Sequence, residues 1–169
     1  MRFLFLLILL SACASHKSAN KLSAFKTDGC SLYPDGVPIV EPNKWLHCCI
    51  AHDISYWAGG SLKAKNLADH ELGRCVAEKS SVNAKMMYSG VHMGGLANGV
   101  LPWAWGFGWK ENLGYKKLTE SELGQVEERQ NTMLRGISVY EDVLTEQQLK
   151  YVLERLEVFR TTVKSLNTP

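Results

Sequence analysis

The chain has 169 residues, a formal net charge of +2 and 46% hydrophobic residues. That is enough for one compact domain and too weakly charged to gather nucleic acid or anionic lipid by its field alone. No internal repeat, low-complexity tract or long charge run points to an array or a disordered tail, and the five cysteines make the redox compartment the first question.

Met1-Arg2 is a short basic start and Phe3 to Leu10 is an apolar run too short for a bilayer span. The small residues of Leu10-Ser11-Ala12-Cys13 suit a signal peptidase, and the four together resemble a bacterial lipobox. That likeness implies removal of residues 1–12, a lipid on Cys13 and a protein anchored to a membrane without spanning it. An ordinary secretory signal, with Cys13 incidental, is the alternative. Either places the chain outside the cytoplasm, where disulfides persist. Ala14 lacks the acidic character associated with inner-membrane retention, so in a Gram-negative host the outer membrane is the expected address within the cell envelope. Residues 13–27, with Ser15, Lys17, Ser18, Asn20 and Lys21, read as a polar tether ahead of a single domain over 28–169.

The domain opens on a turn-rich loop, Asp28-Gly29-Cys30-Ser31-Leu32-Tyr33-Pro34-Asp35-Gly36. It leads to Cys48-Cys49-Ile50-Ala51-His52-Asp53-Ile54-Ser55-Tyr56. If this stretch is helical, Cys48, His52 and Tyr56 share a face, and Asp53 sits about 100° round the axis from His52. Gly59-Gly60 ends that helix, Ser61 caps a second to about Glu78, and Leu62, Leu67, Leu72 and Val76 mark its apolar positions. Cys30, Cys48, Cys49 and Cys75 remain for bridging. A bond between the neighbours Cys48 and Cys49 is strained, which leaves two pairings: Cys48–Cys75 with Cys30–Cys49, or the exchange. With antiparallel helices and a Cys48–Cys75 bridge, Asp69 arrives near the level of His52 and can hydrogen-bond one ring nitrogen, leaving the other as a base. The exchanged pairing turns His52 away.

Residues 84–113 are rich in glycine and aromatics and hold a single histidine, His92. Trp103, Trp105, Phe107 and Trp109 can cover the helices, line a channel or form an interfacial platform; core or channel lining is the expected role. Pro102 and glycines such as Gly94, Gly95 and Gly99 argue against a lipid-facing span. From 118 to 166 the pattern is helical. Thr119 with Glu122 and Thr145 with Gln148 have capping-box spacing, and Leu149, Val152, Leu153, Leu156, Phe159, Val163 and Leu166 make an apolar stripe. The stripe suits packing on the domain, so a monomer is expected; a helical partner is the alternative.

The residues Cys48-Cys49-x-x-His52-Asp53-x-x-Tyr56, the interval from Asp69 to Cys75 and the upstream Cys30 together resemble the secreted phospholipase A2 family, over roughly residues 28 to 78. The resemblance implies a mainly α fold, an antiparallel disulfide-linked helix pair with additional C-terminal helices. It implies calcium-dependent hydrolysis of the sn-2 acyl ester of glycerophospholipids in a membrane, with no nucleic-acid partner. His52 would be the general base, Asp69 its orienter, and Tyr56 a hydrogen-bond donor to Asp69. Asp53 would hold Ca²⁺, with carbonyls of Gly29, Ser31 and Tyr33 completing the ligands. Here the sequence departs from the family's glycine-rich calcium loop, since only Gly29 and Gly36 remain; Asp35 could contribute a carboxylate instead, although Pro34-Asp35-Gly36 is also an ordinary turn signal and the turn alone is the expected reading. Two rivals follow. One is a binding or structural lipoprotein that keeps the helix pair without hydrolysis. The other is a zinc site of His47, Cys48, Cys49 and His52, which lacks the usual gap between cysteines.

Overall fold

The computed structural model describes residues 20–95 and 103–167. The apolar leader, Cys13, the first part of the tether and the stretch from Leu96 to Pro102 lie outside the described residues. The described chain is all-α, with no strand among the described residues and two isolated β-bridges, Leu22 to Trp109 and Val37 to Glu41. In order the helices are α1 (Leu46–Ala58), α2 (Leu62–Ala77), α3 (Ser81–Gly95), α4 (Glu120–Ser138) and α5 (Glu146–Asn167).

Helix α1 is the axis of the molecule. Of its residues only Ala51 and Ser55 escape full burial, because α2 packs on one side while α4 and α5 pack on the other. A helix buried all round needs its carbonyl end satisfied from elsewhere. The aromatic segment does this: Gly106 and Gly108 donate backbone N–H to the carbonyls of Tyr56 and Trp57, and the Trp109 and Trp105 indoles donate to the carbonyls of Ala58 and Gly60. Gly108 lies so close that a Cβ there would meet Trp57 at 2.4 Å. Trp105 and Trp109 are buried, and half-buried Trp103 lines a cleft, so the described aromatics take the core and channel-lining roles.

Helix α2 starts at Ser61, whose side chain accepts from the Ala64 N–H. Its buried face differs from the one the leucines suggested. Leu62 and Leu67 are about half exposed, whereas Ala64, Lys65, Ala68, Asp69, Leu72, Cys75 and Val76 face inward. The inward face therefore carries two charged side chains. Helix α3 was not anticipated, since Gly90, Gly94 and Gly95 weaken helix propensity. Packing supplies what propensity lacks: α3 lies along α2, with Ala84 and Met87 buried and the Tyr88 side chain set so that a Cβ added at Gly73 of α2 would meet it at 3.5 Å.

The capping box of Thr119 and Glu122 opens α4, and Thr145 exchanges hydrogen bonds with Gln148 at the start of α5. Val152, Leu156, Phe159 and Val163 form the buried stripe of α5, while Leu153 is 40% exposed. Residues 20–27, read in sequence as the end of a tether, are instead part of the fold. Leu22 and Phe25 are buried in the main core, and Gln125 and Thr132 of α4 accept from their backbone N–H groups. Two apolar residues three positions apart, hidden among Ser, Lys and Asn, explain why composition alone suggested a linker.

Candidate active site

Two disulfides build the site. Cys48 joins Cys75 and thereby ties α1 to α2; Cys30 joins Cys49 and ties the 28–36 loop to α1. Of the two pairings left open by spacing, this is the one that sets His52 toward α2. The order of contacts along the pair, Cys48 with Cys75 and then His52 with Asp69, shows α1 and α2 antiparallel. Both cysteines of the buried group His47, Cys48 and Cys75 are consumed in the Cys48–Cys75 bond, as is Cys49 in its own, so none offers a thiolate to zinc.

His52 is 8% exposed and lies between two carboxylates. Its Nε2 is 3.4 Å from Asp69 Oδ1 and its Nδ1 is 3.9 Å from Asp53 Oδ1. The first distance is long for a hydrogen bond but in register for one. The Tyr56 ring lies against the imidazole at 3.9 Å between centroids, tilted by 33°, and the Tyr56 hydroxyl donates to Asp69 Oδ1 at 2.6 Å. Burial and the neighbouring Asp69 charge push the phenol strongly up, so it remains a donor. Lys65, one turn before Asp69, donates from Nζ to Asp69 Oδ2 at 2.6 Å, with both side chains buried. His92 of α3 stands 3.9 Å from the same oxygen.

These contacts set the protonation balance. Burial alone would push Asp69 up, yet hydrogen bonds from His52, Lys65 and Tyr56 hold it below its ordinary value. Burial alone would push His52 down, yet the hydrogen bonds and charges of Asp53 and Asp69 hold it above its ordinary value. Asp53 goes the other way. Burial pushes it up, and the His52 ring and the Thr27 hydroxyl, which donates to Oδ2 at 2.6 Å, do not compensate. A buried carboxylate left under-compensated, with Asp28 adding like charge, suits a hard cation.

The loop beside Asp53 fits the same chemistry. Gly29 (φ 77°) and Ser31 (φ 41°) are both in the left-handed region, which turns successive peptide groups in a way an extended chain does not. The Cys30 carbonyl accepts from Tyr33 N–H, whereas among the described residues nothing donates to the carbonyls of Gly29, Ser31 or Tyr33. Asp35 is occupied as a staple: Oδ1 accepts from Cys30 N–H at 2.8 Å and its carbonyl from Trp45 N–H. The groups left over, one under-compensated carboxylate and three carbonyls without a donor, are hard oxygens of the type Ca²⁺ takes, and Asp35 is not among them.

His52, Asp53 and Tyr56 open into a cleft of about 250 Å³ walled by Leu32, Tyr33 and Leu72 and by Met86, Met87, Gly90 and Val91 of α3. The floor is polar and ionisable; the walls are apolar. Sequence reasoning did not find Lys65, Thr27 or the α3 wall. Lys65 carried a signal, its spacing of four residues before Asp69, which places the pair on one helix face. No protein-family model, curated protein or solved structure matches the chain.

Proposed function

We propose that the chain is a calcium-dependent ester hydrolase of the phospholipase A2 kind, cleaving the sn-2 acyl ester of glycerophospholipids with water as the nucleophile. The observation that carries this reading is a buried His52 whose Nε2 faces Asp69 while its Nδ1 stands on the Asp53 side of an apolar-walled cleft. An imidazole held at one nitrogen by a carboxylate has its tautomer fixed, with the proton on Nε2 and the lone pair on Nδ1. Nδ1 then takes a proton from water as its oxygen attacks the ester carbonyl, and Asp69 stabilises the imidazolium that forms. The same proton passes to the departing alkoxide, returning His52 to its starting state. Tyr56 anchors Asp69 and supports the ring from one face.

Asp53 and the carbonyls of Gly29, Ser31 and Tyr33 would hold Ca²⁺, which when bound supplies Lewis-acid polarisation of the ester carbonyl. The apolar walls suit an acyl chain, and exclusion of water around it strengthens the electrostatics at the floor. The disulfides favour an extracytoplasmic location, and no helix among the described residues is long and apolar enough to cross a membrane. A lipid on Cys13 at the outer membrane, and action on membrane phospholipid as a monomer, belong to the same proposal and rest on the sequence.

The test is fatty-acid release from mixed-chain phosphatidylglycerol or phosphatidylethanolamine vesicles, in Ca²⁺ and in EDTA. Calcium-dependent release of the sn-2 acid, abolished in Asp53→Asn, supports the reading. Absence of release favours a non-hydrolytic lipoprotein that keeps only the helix pair.

A further inference from the structure

We infer that Lys65 is a positioning residue of this site, which fixes the Asp69 carboxylate through Oδ2 so that Oδ1 stays aimed at His52. The inference rests on the hydrolase reading above and adds to it a residue that the motif does not contain. A lysine with 2% of its side chain exposed, bonded at 2.6 Å to an aspartate with none exposed, has no role at the surface. As a device for stability alone it is a poor one, because desolvating both charges offsets most of their attraction and a well-packed apolar pair serves as well.

Its geometry has a specific consequence. The two Asp69 oxygens are divided between partners: Oδ1 receives the Tyr56 hydroxyl and faces His52 Nε2, while Oδ2 receives Lys65 Nζ at 2.6 Å. Tyr56 alone would leave the carboxylate free to swing about its Oδ1 contact. With Lys65 on the other oxygen, both ends of the carboxylate are held, by donors from two different helices. His92 approaches Oδ2 at 3.9 Å but is half exposed, so water competes for its position. Lys65 also lies on α2 itself, one turn from Asp69, and moves with it as a rigid unit.

The experiment compares wild type with Lys65→Met, Asp69→Asn and the double variant, using the same vesicle assay and calcium titration. Expected is a kcat lower by about 10- to 100-fold in Lys65→Met, with KM and calcium affinity within about twofold of wild type. In the Asp69→Asn background the same substitution changes kcat by less than about twofold, since there is no carboxylate left to aim. Should Lys65→Met not fold, Lys65→Gln retains an N–H donor without the charge, and is expected to fold with a kcat loss confined to the Asp69 background. Wild-type kcat in the folded Lys65 variant, or a loss of the same size with and without the Asp69 carboxylate, overturns the positioning role while leaving the hydrolase reading intact. A wild-type protein that releases no fatty acid removes both.

Discussion

Replacing Cys48 and Cys75 by alanine removes the bond that sets α1 against α2. Their separation of 27 residues gives a loop-closure contribution of about 3.5 kcal/mol. With a urea slope near 2 kcal/mol per M, the unfolding midpoint should fall by about 1.8 M. The functional effect is expected to be separate from the effect on stability. The bridge lies one turn of α1 from His52 and fewer than two turns of α2 from Asp69, so its loss frees their relative height, and a misplacement of about 1 Å costs on the order of 100-fold in rate. Calcium affinity should change little, because the 28–36 loop is still tied to α1 by Cys30–Cys49. The matching pair, Cys30→Ala with Cys49→Ala, closes a shorter loop of separation 19 and should cost about 3 kcal/mol. Its functional signature is the reverse, weakened calcium binding with kcat preserved at saturating calcium. Urea titration by circular dichroism, with kcat and calcium affinity measured at low urea, reads all three quantities for each pair. A midpoint shift below about 0.5 M for Cys48/Cys75, or a calcium defect in that variant equal to the one in Cys30/Cys49, would refute the assignment of one bridge to the helix register and the other to the loop.

Tyr56→Phe removes a buried hydroxyl bonded to a carboxylate while keeping the ring against His52 and set edge-on to Trp105. It should cost about 1.5–3 kcal/mol and lower Tm by several degrees in calorimetry; a shift under 1 °C would mean the bond is not made in solution. Gly29→Ala forces a Cβ to within 2.5 Å of Asp35 Oδ1 at a φ of 77°, so calorimetric titration should show calcium affinity weakened by at least tenfold. Calcium itself should raise Tm in wild type by mass action and leave Asp53→Asn unmoved. In EDTA the pH dependence of stability has two sides. His52 is held above 6.5 when folded, so its contribution is complete below about pH 6.5 and is lost as pH rises through the higher folded value. Asp69 is held below 3.8, so its contribution is present above that pH and lost as pH falls through the lower folded value. Urea midpoints measured from pH 5 to 9 should therefore decline on the alkaline side in wild type and decline less in His52→Gln.

The helix pair was legible because its constraints are local and repeat at helical spacing. Cys48, His52 and Tyr56 recur every four residues, Gly59-Gly60 and Ser61 punctuate, and the interval from Asp69 to Cys75 matches that from His52 to Cys48 to within two residues. The capping residues Thr119 and Thr145 were legible for the same reason. Three parts were not. Helix α3 contains the glycines that sequence reasoning takes as breakers, and it stands on packing against α2, which no local window contains. The N-terminal segment hides Leu22 and Phe25 in a polar composition, and its contacts are with α4, about a hundred residues away in sequence. Lys65 was passed over because a lysine beside leucines reads as a solvated face, when here Leu62 and Leu67 face out and Lys65 faces in. The shared cause is that burial is decided by the neighbouring helix and not by the residue type. It also explains why a charged pair can occupy the interior face of α2: the partners that make its burial tolerable, Tyr56 and His52, come from α1.

The central claim is that His52, aimed by Asp69, activates water in a calcium-holding cleft. The most direct measurement is the rate at which the sn-2 acid leaves mixed-chain phospholipid vesicles in saturating Ca²⁺, for wild type against a folded His52→Gln variant with both disulfides intact. The account predicts robust release by wild type and a fall of at least about 100-fold in the variant, with lysophospholipid and fatty acid formed in equal amounts. Equal rates for the two proteins, or no release by wild type at any calcium concentration, would contradict it.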